Sequence, residues 1–427
     1  MFLNVPEREI KPMELKVPNK NDLEEKLGQR NEKEIQEEYD REIASLKKRD
    51  DFSKEFEYFL EVLSLNVSPQ KFYERFKAPY AGLYCIQAPL ELFDALGFHP
   101  IRLCSGSLAG QRLSTPFLPA LACPLIKSCI GAFSLEQSLE KLCHIIVIPT
   151  TCDWNTKMLE MIGVPLARGK SLYIMELPHI KESERGQKRL LEEIYELKRV
   201  LERQAGQRLN RQQLLMSINK YRKAWQAFGQ LIELKRKRVI SGTWSIVLAN
   251  AFMLDEVESW TEKVNSVCKN YNKIKNDENP GVFLAGSPVF FPDLKISELI
   301  EEAGMFIAAD ELCTSERILA SIIYDEPSEY GLLKALADRY QLPCSCPTYT
   351  DNYRRVKNIL TTMRAHDIKG VIYHLLKGCH PYDIESFQFE KLIKENGFHF
   401  IKIETDYSRE DRQNILSRLE AFRETLR

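Results

Sequence analysis

Cysteines carry the chemical promise of this chain. In ACPLIKSC, residues 122–129, Cys123 stands directly before Pro124 and an apolar run. Proline is tolerated at the first position of a helix, where its missing N–H costs nothing. Cys123 is therefore predicted to be an N-cap, its sulfur at the positive end of the helix, where a thiolate or an anionic cluster is stabilised. HIIVIPTTCD, residues 144–153, reads as an apolar strand followed by Cys152. GVIYHLLKGCHPY, residues 370–382, reads as a second such strand followed by Cys379. Thiols at strand ends and helix starts are the raw material of a metal site.

Those thiols need elements to hold them. A chain of 427 residues is too long for one simple core, so two or more domains are expected. Residues 1–77 are charged and helical in pattern and read as a solvated or loosely packed N-terminal helical region. Residues 78–180 alternate short apolar runs with helical segments, as parallel strands with crossovers do. Residues 181–278 repeat apolar positions at helical spacing and read as a helical insert or cap. Residues 279–427 return to the α/β pattern and close on a helix with Ser408 as its expected cap. The predicted fold is thus α/β, two flavodoxin-like parallel-sheet domains with helical additions.

The two α/β blocks read as one design used twice. In the first, GLYCIQAP leads through a helix ending at Gly97 to a strand ending in Cys104, then to Cys123-Pro124, then to Cys152. In the second, GVFLAGSP leads through a helix ending at Gly304 to a strand ending in Cys313, then to Cys346-Pro347, then to Cys379. Three cysteines per half occupy matching slots, at the sheet edge where open α/β folds bind ligands. Zinc takes four ligands, usually in close CxxC pairs, and the nearest pair here is the CxC of Cys344 and Cys346. Iron–sulfur clusters accept thiolates from distant segments. Three thiolates on a cubane leave one iron open, and three plus three suggest two cubanes facing each other across a cleft.

Composition excludes several classes. A formal charge of −1 provides no field for a polyanion, so nucleic acid is not expected as a partner. No apolar run of spanning length and no signal-peptide h-region is present, which predicts a soluble, cytoplasmic protein without membrane association. Eleven cysteines in such a chain argue against a disulfide framework. No GxxxxGK[ST] loop occurs, so nucleotide-driven chemistry would need a partner.

ACPLIKS, TTCD followed by Lys157, GVIYHLLKGC and IETDYS together resemble the family of 2-hydroxyacyl-CoA dehydratases and benzoyl-CoA reductase subunits. The likeness runs from about residue 78 to residue 427. It implies a [4Fe–4S] cluster on three cysteines, matched by position to Cys123, Cys152 and Cys379. It also implies electrons from a separate ATP-hydrolysing [4Fe–4S] activator protein. Cys104, Cys313 and the Cys344/Cys346 pair supply a second set, which resembles the double-cubane branch of the family, with an [8Fe–9S] cluster. Members of that branch resemble homodimeric reductases of small molecules such as acetylene. The choice between Cys344 and Cys346, and between Cys104 and Cys85, stays open. Cys129, Cys143 and Cys268 fall outside the pattern.

The expectation is therefore an iron–sulfur oxidoreductase, a homodimer that reduces a small unsaturated substrate under anaerobic conditions. One alternative is an acyl-CoA dehydratase or reductase subunit with a single [4Fe–4S] cluster. Another is a non-catalytic electron-storage protein. A reduced substrate needs protons as well as electrons. Lys127, Asp153, Lys157, Glu311, His374, Lys377 and His380 lie near cysteines in sequence, and His380, beside Cys379, is preferred.

Overall fold

The structure, a computed structural model, describes residues 20–116, 118–135, 137–163, 171–271, 279–318, 323–350 and 353–426. The first nineteen residues of the expected N-terminal region, and the expected end of the insert at 272–278, lie outside the described residues.

Two four-stranded sheets organise the chain. The first contains β1 (Tyr80–Leu83), β2 (His99–Arg102), β3 (Cys143–Pro149) and β4 (Ser171–Met175), in the order β2-β1-β3-β4. The second contains β5 (Gly281–Gly286), β6 (Phe306–Asp310), β7 (Gly370–Leu376) and β8 (His399–Thr405), in the order β6-β5-β7-β8. All neighbours pair in parallel, and the two orders are the same permutation. This is the doubly wound, flavodoxin-like arrangement, and the internal repeat in the sequence is a repeat of topology. The sequences explain the burial. YAGL in β1, GVFLAG in β5 and GVIYHLL in β7 are buried along their whole lengths, as strands covered by helices on both faces must be. In each sheet the order reverses between the first and third strands, and a crevice opens at their C-terminal ends.

The helix Lys20–Lys47 departs from the solvated arm expected from its charge. Ile35, Tyr39 and Leu46 are buried, so a narrow apolar stripe docks despite the charged faces beside it. Its polar residues dock as well. Glu38 accepts from Ser107 Oγ at 2.6 Å and from Ala109 N at 2.9 Å, on the first lobe. Glu42 accepts from Arg409 at 2.6 Å, on the second. Tyr39 meets Ser105 at 3.0 Å and packs edge-on against Phe291 at 5.2 Å. The helix therefore straps the two halves together.

Four helices lie between the sheets in sequence: Glu184–Ala205, Arg211–Arg236, Gly242–Phe252 and Val257–Asn270. Ser183, Asn210 and Ser241 cap the first three, Asn210 within a capping box completed by Gln213. They do more than cover a face. Lys235, fully buried, reaches Asp310 at the end of β6 at 2.7 Å. The last helix, Arg412–Thr425, begins after Asp411 and not at Ser408, whose hydroxyl instead accepts from Glu410 N in the preceding turn. Among the described residues no helix is long and apolar enough to cross a membrane.

Candidate metal centre

Both lobes present cysteines from the loops that follow their strands, and those loops meet. Cys123 is the N-cap of the helix Pro124–Ser134, with Pro124 in its first turn. Cys379 is the N-cap of the helix His380–Glu395, with Pro381 in its first turn. Cys152 directly precedes the helix Asp153–Gly163, and its carbonyl accepts from Thr156 N at 2.9 Å. Three thiols thus sit at the positive ends of three helices, where backbone N–H groups favour negative charge.

Glycine brings two of them together. Gly378 adopts φ +72°, and a Cβ there would fall 2.2 Å from the carbonyl oxygen of Leu121. Only a residue without a side chain lets the turn before Cys379 approach the segment before Cys123. Cys379 then donates its thiol hydrogen to Cys123. This bond holds Cys123 below, and Cys379 well above, the ordinary thiol range. Backbone N–H groups of Ile126 and Leu125 add to the stabilisation of a Cys123 thiolate. Cys152 faces both Cys123 and Cys346, and burial pushes its thiol up to about 12. Trp154, two residues on, ties the lobes with an indole bond to Gly378 O at 3.0 Å.

A second group forms beside the first. Cys85 follows β1, Cys313 follows β6, and Cys346 lies in the turn after the helix Glu329–Gln341. Cys85 is within electrostatic reach of Cys346 and Cys313, and burial raises its thiol well above the ordinary range. Cys313, likewise raised by burial, faces Cys346 and more weakly Cys104. Cys346 therefore adjoins Cys85, Cys313 and Cys152 and links the two groups.

Cys104 and Cys344 are held differently. Cys104 accepts a hydrogen bond from the Cys129 thiol, which keeps it below the thiol range and Cys129 well above it. Its sulfur also lies 3.8 Å from Tyr84 O. Cys344 accepts from Gln87 Nε2 at 2.6 Å, and its carbonyl accepts from Lys181. Burial pushes its thiol up to about 11. No disulfide joins any of the eleven cysteines.

Two buried guanidiniums serve this region, and sequence reasoning named neither. Arg102 faces Cys85, Cys104 and Cys313, while Arg317 faces Cys313 and Cys344. Arg317 also donates to Tyr382 at 2.8 Å. An arginine inside a strand such as HPIRLC carries no signal that it will point at thiols. Of the groups considered for proton transfer, Lys157 and Lys377 are in ion pairs with Glu160 and Asp406, both at 2.8 Å. Glu311 is buried against Arg355, and Lys127 donates to Ala120 O. Asp153 is exposed in the first turn of its helix. His374 is buried in β7, where it meets Ser287 O at 2.9 Å and burial lowers its pKa to about 4. His380 is exposed, its ring 5.9 Å from that of Trp154.

The donor set suits a cluster better than a lone ion. Among the described residues no three His, Cys, Asp or Glu side chains close on a single metal ion. Thiolates on a cubane each bind a different iron, so they need not close to that extent. The six thiols also lack the carboxylates and imidazoles that would compete for the iron, and Arg102 and Arg317 offer positive charge to an anionic core.

Comparison with known proteins bears on the same segments. The family model described as 2-hydroxyglutaryl-CoA dehydratase, D-component, matches residues 85–426. YjiM of Escherichia coli K12, named as a dehydratase subunit, is 27% identical over 361 residues, covering 82% of this chain and 91% of YjiM. The (R)-phenyllactyl-CoA dehydratase beta subunit of Clostridium sporogenes is 22% identical over 81% of this chain and 91% of its own length. The beta subunit of (R)-2-hydroxyglutaryl-CoA dehydratase from Acidaminococcus fermentans is 21% identical over 86% of this chain and 98% of its own.

Proposed function

Because this chain belongs to the 2-hydroxyglutaryl-CoA dehydratase D-component family, we propose that it is an iron–sulfur reductase of the double-cubane type, acting on a small unsaturated molecule. Cys123, Cys152 and Cys379 would hold one cubane. Cys85, Cys313 and Cys346 would hold the other. The observation that carries this reading is the second trio, which a chain with a single [4Fe–4S] cluster has no use for. Cys85 replaces Cys104 in the proposed set because Cys85 faces both Cys346 and Cys313, whereas Cys104 faces Cys313 alone, and more weakly. Cys346 is preferred to Cys344 because Cys346 adjoins Cys85, Cys313 and Cys152, while the Cys344 sulfur is held by the Gln87 amide.

When bound, the cluster would supply low-potential electrons and an iron able to take substrate. Those electrons would come from a separate ATP-hydrolysing [4Fe–4S] activator. The chain's own residues would do the rest. The helix starts at Cys123, Cys152 and Cys379 stabilise thiolate charge. Arg102 and Arg317 offset the negative charge of the core. The helical strap and the Trp154–Gly378 bond hold the lobes around it. His380, exposed beside Cys379, is assigned to proton delivery from solvent. Function as a cytoplasmic homodimer belongs to the same proposal.

A second reading is favoured by the names of the relatives: a dehydratase subunit for an acyl-CoA thioester, with one [4Fe–4S] cluster on Cys123, Cys152 and Cys379 and an unlike partner subunit. Iron and sulfide analysis of anaerobically purified protein separates the two. About eight irons per chain supports the double cubane, and about four supports the dehydratase subunit. Protein that is colourless and free of iron refutes both. Turnover of acetylene with activator, ATP and reductant excludes pure electron storage.

A further inference from the structure

Beside the second thiol trio, an apolar cavity is walled by the helical insert on one side and by the loops after β1 and β6 on the other. The empty space is about 720 Å³, counted out to its open mouth. Tyr221, Trp225 and Phe252 from the insert give it an aromatic wall. Arg102, Arg317 and Arg339 line it too, each at least nine-tenths buried. Asp255 is the one acid in the lining; its Oδ1 accepts from Tyr58 at 3.2 Å and Glu256 N at 3.0 Å, its Oδ2 makes no hydrogen bond among the described residues, and burial raises its pKa to about 6.

The three guanidiniums are unequally satisfied. Arg339 lies 3.9 Å from Glu91 and stacks 4.5 Å over the Trp225 ring. Arg102 makes no ion pair with a carboxylate among the described residues, and its guanidinium lies 5.9 Å from the Phe290 ring. Arg317 uses Nη1 on Tyr382, but its Nε and Nη2 make no hydrogen bond among the described residues. The carboxylate nearest Arg317, Glu311 at 3.4 Å, is shared with Arg355. Buried donors left unpaired are costly, and a bound anion would satisfy them. An aromatic wall beside Arg317, with its unpaired buried donors, and Arg102, with no carboxylate partner among the described residues, suits a molecule with an apolar body and one negative end.

We propose that this cavity binds a small organic carboxylate with a short apolar body, gripped by Arg102 and Arg317, and that the carboxylate is the substrate class of the neighbouring centre. This rests on the reductase reading, because the cavity shares Arg102 and Arg317 with the thiol trio of that reading. The insert then has a task beyond cover: it closes the substrate site.

The test is calorimetric titration of the anaerobically purified full chain with crotonate, with its neutral isostere crotonamide and with inorganic phosphate. Crotonate is expected to bind roughly tenfold or more tightly than crotonamide, the contribution of a charge-assisted bond to a buried guanidinium. Arg102→Gln should weaken crotonate by a similar factor and leave crotonamide unchanged. Arg317→Gln should do the same, with melting curves showing whether each variant is folded. Equal affinity for crotonate and crotonamide overturns the proposal, as does no binding of either. Phosphate binding as tight as crotonate overturns the organic body. The wild-type comparison decides even where a variant fails to fold. Iron content is read on the same sample. Iron-loaded protein that ignores crotonate sinks the cavity and leaves the reductase reading standing. Iron-free protein that binds crotonate does the reverse.

Discussion

Removing the Lys235 ammonium should loosen the loop that presents Cys313. Lys235 has no solvent exposure, and its Nζ lies 2.7 Å from Asp310 and 2.6 Å from Glu316. Asp310 in turn accepts from Leu312 N at 3.0 Å, Glu316 N at 3.2 Å and Ser315 Oγ at 2.9 Å. The turn after β6 is thus wound around one carboxylate whose charge is balanced by one lysine from the insert. Lys235→Met keeps the aliphatic volume and strands two carboxylates in the same buried pocket. Breaking a buried pair in this way costs about 3–5 kcal/mol. Arg236, 3.3 Å from Glu316, offsets part of that, so the lower end is expected. Lys235→Met combined with Asp310→Asn should recover part of the loss, because one stranded charge is gone. Urea unfolding gives the stability, and timed alkylation of Cys313 with peptide mapping gives the loop. A loss under about 1 kcal/mol, with Cys313 no more reactive than in wild type, would show that this triad does not hold the loop.

Four further outcomes follow from the same geometry. Cys85→Ser should remove roughly half of the bound iron, while Cys104→Ser and Cys268→Ser leave the metal content unchanged; the opposite order for Cys85 and Cys104 would return Cys104 to the ligand set. Burial lowers the pKa of His99 to about 4, its ring packed against Phe76 at 4.8 Å. The unfolded chain therefore takes up this proton first as pH falls. Stability from His99 is full above about pH 6.5 and is lost toward pH 4, up to ~3 kcal/mol, and melting curves of His99→Gln should lack that part of the slope. Leu121, Ile384 and Phe387 are about four-fifths exposed on the segments that carry Cys123 and Cys379. Phe387→Asp should slow electron delivery by the activator roughly tenfold without loss of iron; an unchanged rate would put docking elsewhere. His380→Gln should slow substrate reduction while leaving iron content and the rate of cluster reduction intact, and unchanged turnover would remove His380 from proton delivery.

The fold was largely legible because its signals are local. Continuous apolar runs such as GVFLAG mark strands buried on both faces, and Gly97 and Gly304, both at positive φ, mark the ends of the intervening helices. The proline after Cys123 marked a helix start, and the helix begins there. What was not legible was set by contacts between segments distant in sequence. The charged pattern of the helix Lys20–Lys47 reads as solvated because the donors to its acids Glu38 and Glu42, namely Ser107, Ala109 and Arg409, lie 69 to 367 residues away. Ser408 looked like a cap by type, but the backbone leaves the turn only at Asp411.

The thiols show how far a repeat can carry an argument. Matching slots in the two halves favour Cys104, because it closely follows β2 as Cys313 closely follows β6. Topology obeys that symmetry, but side chains need not. β1 occupies the switch point of its sheet, and the loop leaving it carries Cys85 toward Cys313 and Cys346. β2 lies at the edge, and its loop turns Cys104 to Cys129 on the neighbouring helix. In the second lobe the switch-point strand β5 is followed by Ser287, which carries no thiol, and Cys313 comes from the loop after the edge strand β6. The two lobes share one plan of strands, yet the thiols that approach one another leave from different loops in each. Substituting along the repeat therefore tests fold, whereas the ligand set has to be tested loop by loop.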